Sequence, residues 1–214
     1  MNKNKIADGI INQEKFGKFG NNKKILWVLK EVNDPNGKED WDLTEFLRDR
    51  SSGLFRYPSW KKTFGLLCKV SWGILSTESF NTINEFDDKK LTDILDYIAV
   101  ANLKKTPGIA YTDMILFKKE IDKEDCAKNL LDQIDKQIEP EIIICGNTFH
   151  LTNIVTDESF NFDEDWTYID TKNRIWINSW HPNARIKDYP HEKHFNDIIN
   201  AYKKAEKQIQ NSTY

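Results

Sequence analysis

The sequence predicts an α/β protein of three layers, α/β/α, with a largely parallel central sheet, on three observations. Ile25–Leu29, Tyr97–Leu103 and Glu141–Gly146 are short continuous apolar runs rich in strand formers, as strands covered on both faces are. The segments between them space apolar residues three and four apart, as helices with one buried face do. Alternation of the two implies right-handed crossovers between parallel neighbours.

The elements follow in order. The run at 24–29 is a buried strand that leaves through the polar loop Lys30–Gly37. Residues 42–51 and 59–75 carry helical spacing, the second through Trp60, Phe64, Leu67, Cys68 and Trp72, with Tyr57-Pro58 marking its start. A short helix closes at Leu91–Leu95, and the strand 97–103 follows and exits through Lys104-Lys105-Thr106-Pro107-Gly108. Lys123 to Ile138 places Cys126, Leu130, Leu131, Ile134 and Ile138 on one helix face, and Pro140 stops it. After the strand at 141–146, Asn147-Thr148 can cap a further helix. Strands near 166–170 and 174–180 precede a closing amphipathic helix from about His191 to Gln208.

Bulk composition narrows the class. A chain of 214 residues suits one domain, 1–214, able to bury roughly 70% of the surface its unfolded form exposes. Cys68, Cys126 and Cys145 lack metal-ligand spacing and an even count, so they read as buried thiols in a reducing compartment, with no metal and no cofactor expected. No signal-peptide core or membrane-length apolar run occurs, so a cytoplasmic, monomeric protein without membrane contact is expected. A net charge of −3 argues against coating nucleic acid through bulk electrostatics, while leaving room for a local basic lip among the lysines and arginines that flank the loops.

In open parallel sheets, ligands bind beyond the carboxyl ends of the strands. The polar clusters fall there: Glu31, Asn33 and Asp34 after the first strand, Asn102 at the end of the second, Gly146 and Asn147 after the third, His181 after the last. The His181-Pro182 step leaves its strand sharply, because proline cannot continue the ladder and restricts the residue before it. Each residue also has an ordinary structural role open to it. The Asn33–Gly37 stretch is turn chemistry, Asn102 can tie a loop, Asn147 can be a helix cap, and a loop histidine can be solvated.

Taken in order, these segments resemble the uracil-DNA glycosylase superfamily. The carriers are the 25–29 strand with its polar exit, Val100–Gly108, Glu139–Asn147 and Trp180-His181-Pro182-Asn183, together spanning roughly residues 24–200. The second is similar to the bacterial and archaeal branch, whose corresponding strand ends in Asn and runs into a basic, proline-containing loop. That branch's iron–sulfur cysteines are absent here. The resemblance implies a DNA repair enzyme that excises uracil or a related base, with water as nucleophile. Cleaving an N-glycosidic bond builds positive charge on the sugar and negative charge on the departing base, so the site needs an anion near the sugar and donors at the base oxygen. His181 fits the donor. Asn102 would read the Watson–Crick edge of a flipped base. Phe55 and Tyr57 would stack on it, unless those aromatics are core. Asn33, Asn147 and Asn183 would contribute further substrate contacts. Lys104, Lys105 and Arg185 would meet phosphates.

The carboxylate departs from the family pattern. Lys30 stands where many members have Gly, and the next proline comes only at Pro35. An ungapped register makes Glu31 the acid, whereas matching on Asp-Pro makes it Asp34. His181-Pro182 is followed by Asn183 where many members have Ser. Two other readings stand beside the glycosylase. One is a superfamily member with altered or lost chemistry that binds a nucleotide, nucleic acid or protein partner through the same crevice. The other hydrolyses a free nucleoside or nucleotide, which an acidic surface would tolerate.

Overall fold

The computed structural model describes residues 5–33, 40–49, 58–108, 114–155, 160–161, 166–184 and 186–212, without the Ser59 side chain. Its strands are β1 (Ile6–Ala7), β2 (Gly9–Ile10), β3 (Ile25–Leu29), β4 (Trp41–Asp42), β5 (Ile98–Asn102), β6 (Ile142–Gly146), β7 (Thr167–Ile169) and β8 (Ile175–Ser179). Its helices are α1 (Leu43–Arg48), α2 (Pro58–Ser76), α3 (Phe80–Asn84), α4 (Asp88–Thr92), α5 (Met114–Lys123), α6 (Cys126–Gln133) and α7 (His191–Ser212).

The main sheet runs β2-β5-β3-β6-β8-β7. Its four inner strands are parallel, and the edge strands β2 and β7 are antiparallel to their neighbours. The strands expected at 25–29, 98–103, 141–145 and 174–179 are those inner four, so a mixed α/β fold with a mostly parallel sheet flanked by helices is correct. β1 and β4 form a separate two-stranded parallel ladder.

The period of two divides the core. Ile25, Trp27, Leu29, Ile98, Val100, Ile142, Ile144, Ile175 and Ile177 face one way, onto Leu67 and Ile74 of α2 and Phe195 and Ile198 of α7. Leu26, Val28, Ala99, Ala101, Ile143, Cys145 and Trp176 face the other, onto Phe117 and Ile121 of α5 and Leu130 and Ile134 of α6. Trp27 buries its indole by donating to Ser71 Oγ at 3.1 Å, and Trp176 does so by donating to Asp170 Oδ2 at 2.9 Å. Each buried ring N–H is thereby satisfied.

Two local expectations are corrected. The helix predicted over 123–138 starts only at Cys126, because Asp125 adopts φ +48° and separates α6 from α5, a helix the sequence reading did not place. After α6 the backbone widens into a π turn over Ile134–Ile138 before Pro140. The helix expected after Asn147-Thr148 is only a 3₁₀ turn, Phe149–Leu151, since Thr148 donates its hydroxyl to Val28 O at 3.0 Å instead of capping.

Among the described residues no helix is long and apolar enough to cross a membrane, and no cluster of His, Cys, Asp and Glu could hold a metal ion. All three cysteines are buried and none is in a disulfide. Burial pushes the Cys145 thiol up to about 12 and raises that of Cys126, so neither supplies thiolate near neutrality. A thiol reagent at pH 8 is therefore expected to leave the native protein unlabelled and to modify three thiols in urea. Rapid labelling of the native chain would contradict this packing.

Candidate functional site

The carboxyl ends of β5, β3, β6 and β8 lie side by side, and each exits through a polar segment. The exits after β3 and β5 stay zipped together beyond the sheet. Leu103 N–H donates to Leu29 O, Lys104 N–H to Lys30 O and Gly108 N–H to Val32 O, at 2.7, 2.9 and 2.8 Å, and Asn33 forms a parallel bridge with Gly108. The turn after β6 is tied to its neighbour because Asn147 N–H donates to Ser179 O at 2.7 Å, with Asn147 in the left-handed region at φ +58°. Gly146 is required by a close approach. A Cβ there would lie 2.9 Å from Leu29 Cδ2 and 3.1 Å from Pro182 Cδ, so the His181-Pro182 turn packs directly on β6 and leans towards β3.

His181 is held in one tautomer. Its Nδ1 accepts from Asn183 N–H at 3.1 Å, which leaves the proton of the neutral ring on Nε2. Among the described residues no group takes that Nε2–H. Burial, and then the nearby Lys30 ammonium, lowers the His181 pKa to about 4, so the ring is neutral at physiological pH. Two residues upstream, Ser179 Oγ sits 2.8 Å from Nε2 of the buried His194 and anchors the strand end to α7. His194 is lowered to about 4 as well, by burial and then by His191.

These two rings give a signed pH dependence. Both bind protons more readily unfolded than folded, so their contribution is fully present above about pH 6.5 and is lost as pH falls from there through about 4. The urea midpoint should decline over that window, and less so in His194→Gln. An unchanged midpoint from pH 7 to 4.5 would contradict the burial of both imidazoles.

The remaining expected residues are placed differently. Asn102 is buried and donates its backbone N–H and Nδ2–H to Asp8 Oδ2 at 2.7 and 3.3 Å. Lys105 bonds the other oxygen of that carboxylate at 2.5 Å and Gln133 Oε1 at 2.8 Å. Glu31 lies against Gly108, and its carboxylate meets Lys104 Nζ at 2.7 Å, while Glu120 takes the same ammonium at 2.6 Å. The Glu31 and Lys104 side chains are only 7% and 6% exposed. Lys104 is thus not the exposed phosphate contact expected of it, and Glu31 is the partner of a buried ion pair. Desolvation alone would lower the Lys104 pKa, but Glu120 and Glu31 outweigh it and raise it.

Asn33 is exposed, and Asn147 and Asn183 are half-buried beside His181. Asp34, Phe55, Tyr57 and Arg185 lie outside the described residues. The structure therefore gathers His181, Asn147 and Asn183 at one edge, and it turns Asn102 and Glu31 into networks of their own. From β8 to β5 is three strand spacings, roughly 14 Å, so Asn102 and His181 could share only a ligand that spans several groups.

Sequence reasoning missed Asp8, whose buried carboxylate organises the end of β5, because its partners lie 94 or more residues away. It also passed over Lys30 as a site residue, and Trp180, which is 47% exposed beside His181. The strand-end position of both was the available signal. Compared with models of known protein families and with curated proteins, the chain matches none.

Proposed function

We propose that the chain is a divergent member of the uracil-DNA glycosylase superfamily, with that superfamily's three-layer arrangement, and that it hydrolyses the N-glycosidic bond of uracil or a related deaminated or modified base in DNA. The observation that carries the reading is the neutral His181, with Nδ1 occupied and Nε2–H unclaimed among the described residues, beyond the carboxyl end of a parallel strand. As the bond breaks, its electron pair passes to the base and charge gathers on the base oxygen. A fixed donor aimed there stabilises the transition state more than the substrate. With Glu31 neutralised by Lys104, the role of aligning the attacking water falls to Asp34.

The test is incubation with oligonucleotides carrying uracil, hypoxanthine, xanthine or 5-hydroxymethyluracil, followed by alkaline cleavage at abasic sites. Cleavage of at least one is expected, and no cleavage at stoichiometric protein would overturn the proposal. The Glu31–Lys104 pair favours a second reading, a superfamily member that keeps the crevice and binds a nucleotide without turnover. Binding of a uracil oligonucleotide with no strand scission would select it.

A further inference from the structure

We propose that Lys30, Lys118 and His150 form a phosphate-binding subsite beside His181, so that the substrate is held as a phosphorylated nucleotide unit and not as a bare nucleoside. The inference deepens the glycosylase reading and rests on it only for the base that His181 faces. The placement comes from topology. Lys30 directly follows β3, His150 lies in the turn after β6, and His181 follows β8, and these are adjacent strands. Lys30 Nζ reaches Met114 Sδ at 3.2 Å, which brings the ammonium to the first turn of α5. Lys118 stands four residues after Met114 and so shares that helix face.

The other lysines at this edge are already neutralised, Lys104 by Glu31 and Glu120 and Lys105 by Asp8. Among the described residues Lys30 and Lys118 form no ion pair, Glu31 acting on Lys30 only as a nearby charge, and His150 and His181 Nε2 have no hydrogen-bond partner. A thioether is a weak acceptor for an ammonium with three donors, so Lys30 is half-buried with its donor capacity largely unused. A tetrahedral anion supplies the missing acceptors, and lysine commonly serves phosphate as a point charge. Burial and then Lys30 lower both histidines, and Lys118 acts on His150 as well, in keeping with one shared positive environment. On a chain of net charge −3 this local patch would do the electrostatic work expected of a basic lip.

Phosphate can arrive as a backbone diester or as the monoester of a free nucleotide. The test titrates the full chain with inorganic phosphate, deoxyuridine, dUMP and a single-stranded uracil oligonucleotide, following histidine ring resonances and affinity. In wild type, dUMP or the oligonucleotide should bind at least about tenfold more tightly than deoxyuridine and shift His150 and His181. Lys30→Gln and the exposed-site change Lys118→Gln should each remove most of that gain and reduce the salt slope for the oligonucleotide by about one. Lys30→Arg should restore part of it, and Lys203→Gln on α7 should change nothing. Dependence on Lys30 and Lys118 with dUMP and inorganic phosphate assigns a free nucleotide, and dependence with the oligonucleotide alone assigns the backbone. If affinity for every phosphate-bearing ligand is unchanged in both variants, the subsite is overturned even where wild type excises a base. If the dependence holds but no base is excised, the subsite stands and the glycosylase reading fails.

Discussion

Replacing His181 with alanine is expected to lower turnover on an excised base by about 10²–10³-fold while leaving substrate affinity little changed. The asymmetry follows from where the charge is. The base oxygen is nearly neutral in the bound substrate and anionic only as the glycosidic bond breaks, so the Nε2–H contact strengthens towards the transition state. The ring is pre-set for this because Asn183 N–H occupies Nδ1 and burial keeps the imidazole neutral. A variant as active as wild type would show that His181 is not the donor. Equal losses in kcat/KM and affinity with kcat unchanged would make it a binding residue.

The largest expected stability effect is at Lys104. Lys104→Met leaves the Glu31 carboxylate, only 7% exposed, without its counter-ion. Removing one partner of a buried pair costs about 3–5 kcal/mol, and the low end applies because Glu120, 41% exposed, keeps much of its hydration. The urea midpoint should fall with little change in slope. The double change Lys104→Met with Glu31→Gln should recover part of the loss, since it removes the stranded charge. Because the Lys104 pKa is raised by folding, the pair's contribution is present below the unfolded lysine value and is lost as pH rises above it. The alkaline decline in stability should accordingly flatten in the Lys104 variant. A midpoint unchanged by Lys104→Met would contradict the buried pair.

The inner strands were legible because their signal is local. A run such as Ile142-Ile143-Ile144 is β-branched and apolar on both faces, and no amphipathic helix presents that pattern. β1, β2 and β4 were not legible, since two residues carry no periodicity. α5 was missed although Phe117 and Ile121 stand four apart on its buried face; its apolar start, Met114-Ile115-Leu116, is exposed and obscures the amphipathic pattern. In the site, the His-Pro step located His181 through a rule of backbone geometry. The charges could not be assigned in the same way, because whether a lysine faces solvent or a carboxylate is decided by chain segments far away. Lys104 meets Glu31 across 73 residues and Lys105 meets Asp8 across 97. Two neighbouring lysines that read as a basic lip are instead internal counter-ions, and Lys30, noted only for standing in place of glycine, forms no ion pair among the described residues.

The claim on which the account turns is that His181 is a neutral imidazole with its proton on Nε2, and nitrogen-detected NMR of the labelled chain tests it directly. The expected spectrum shows Nε2 protonated and Nδ1 unprotonated from pH 8 down to about 5, with charge appearing only towards about 4. Half-protonation near the ordinary 6.5, or a proton on Nδ1 at neutral pH, would contradict it.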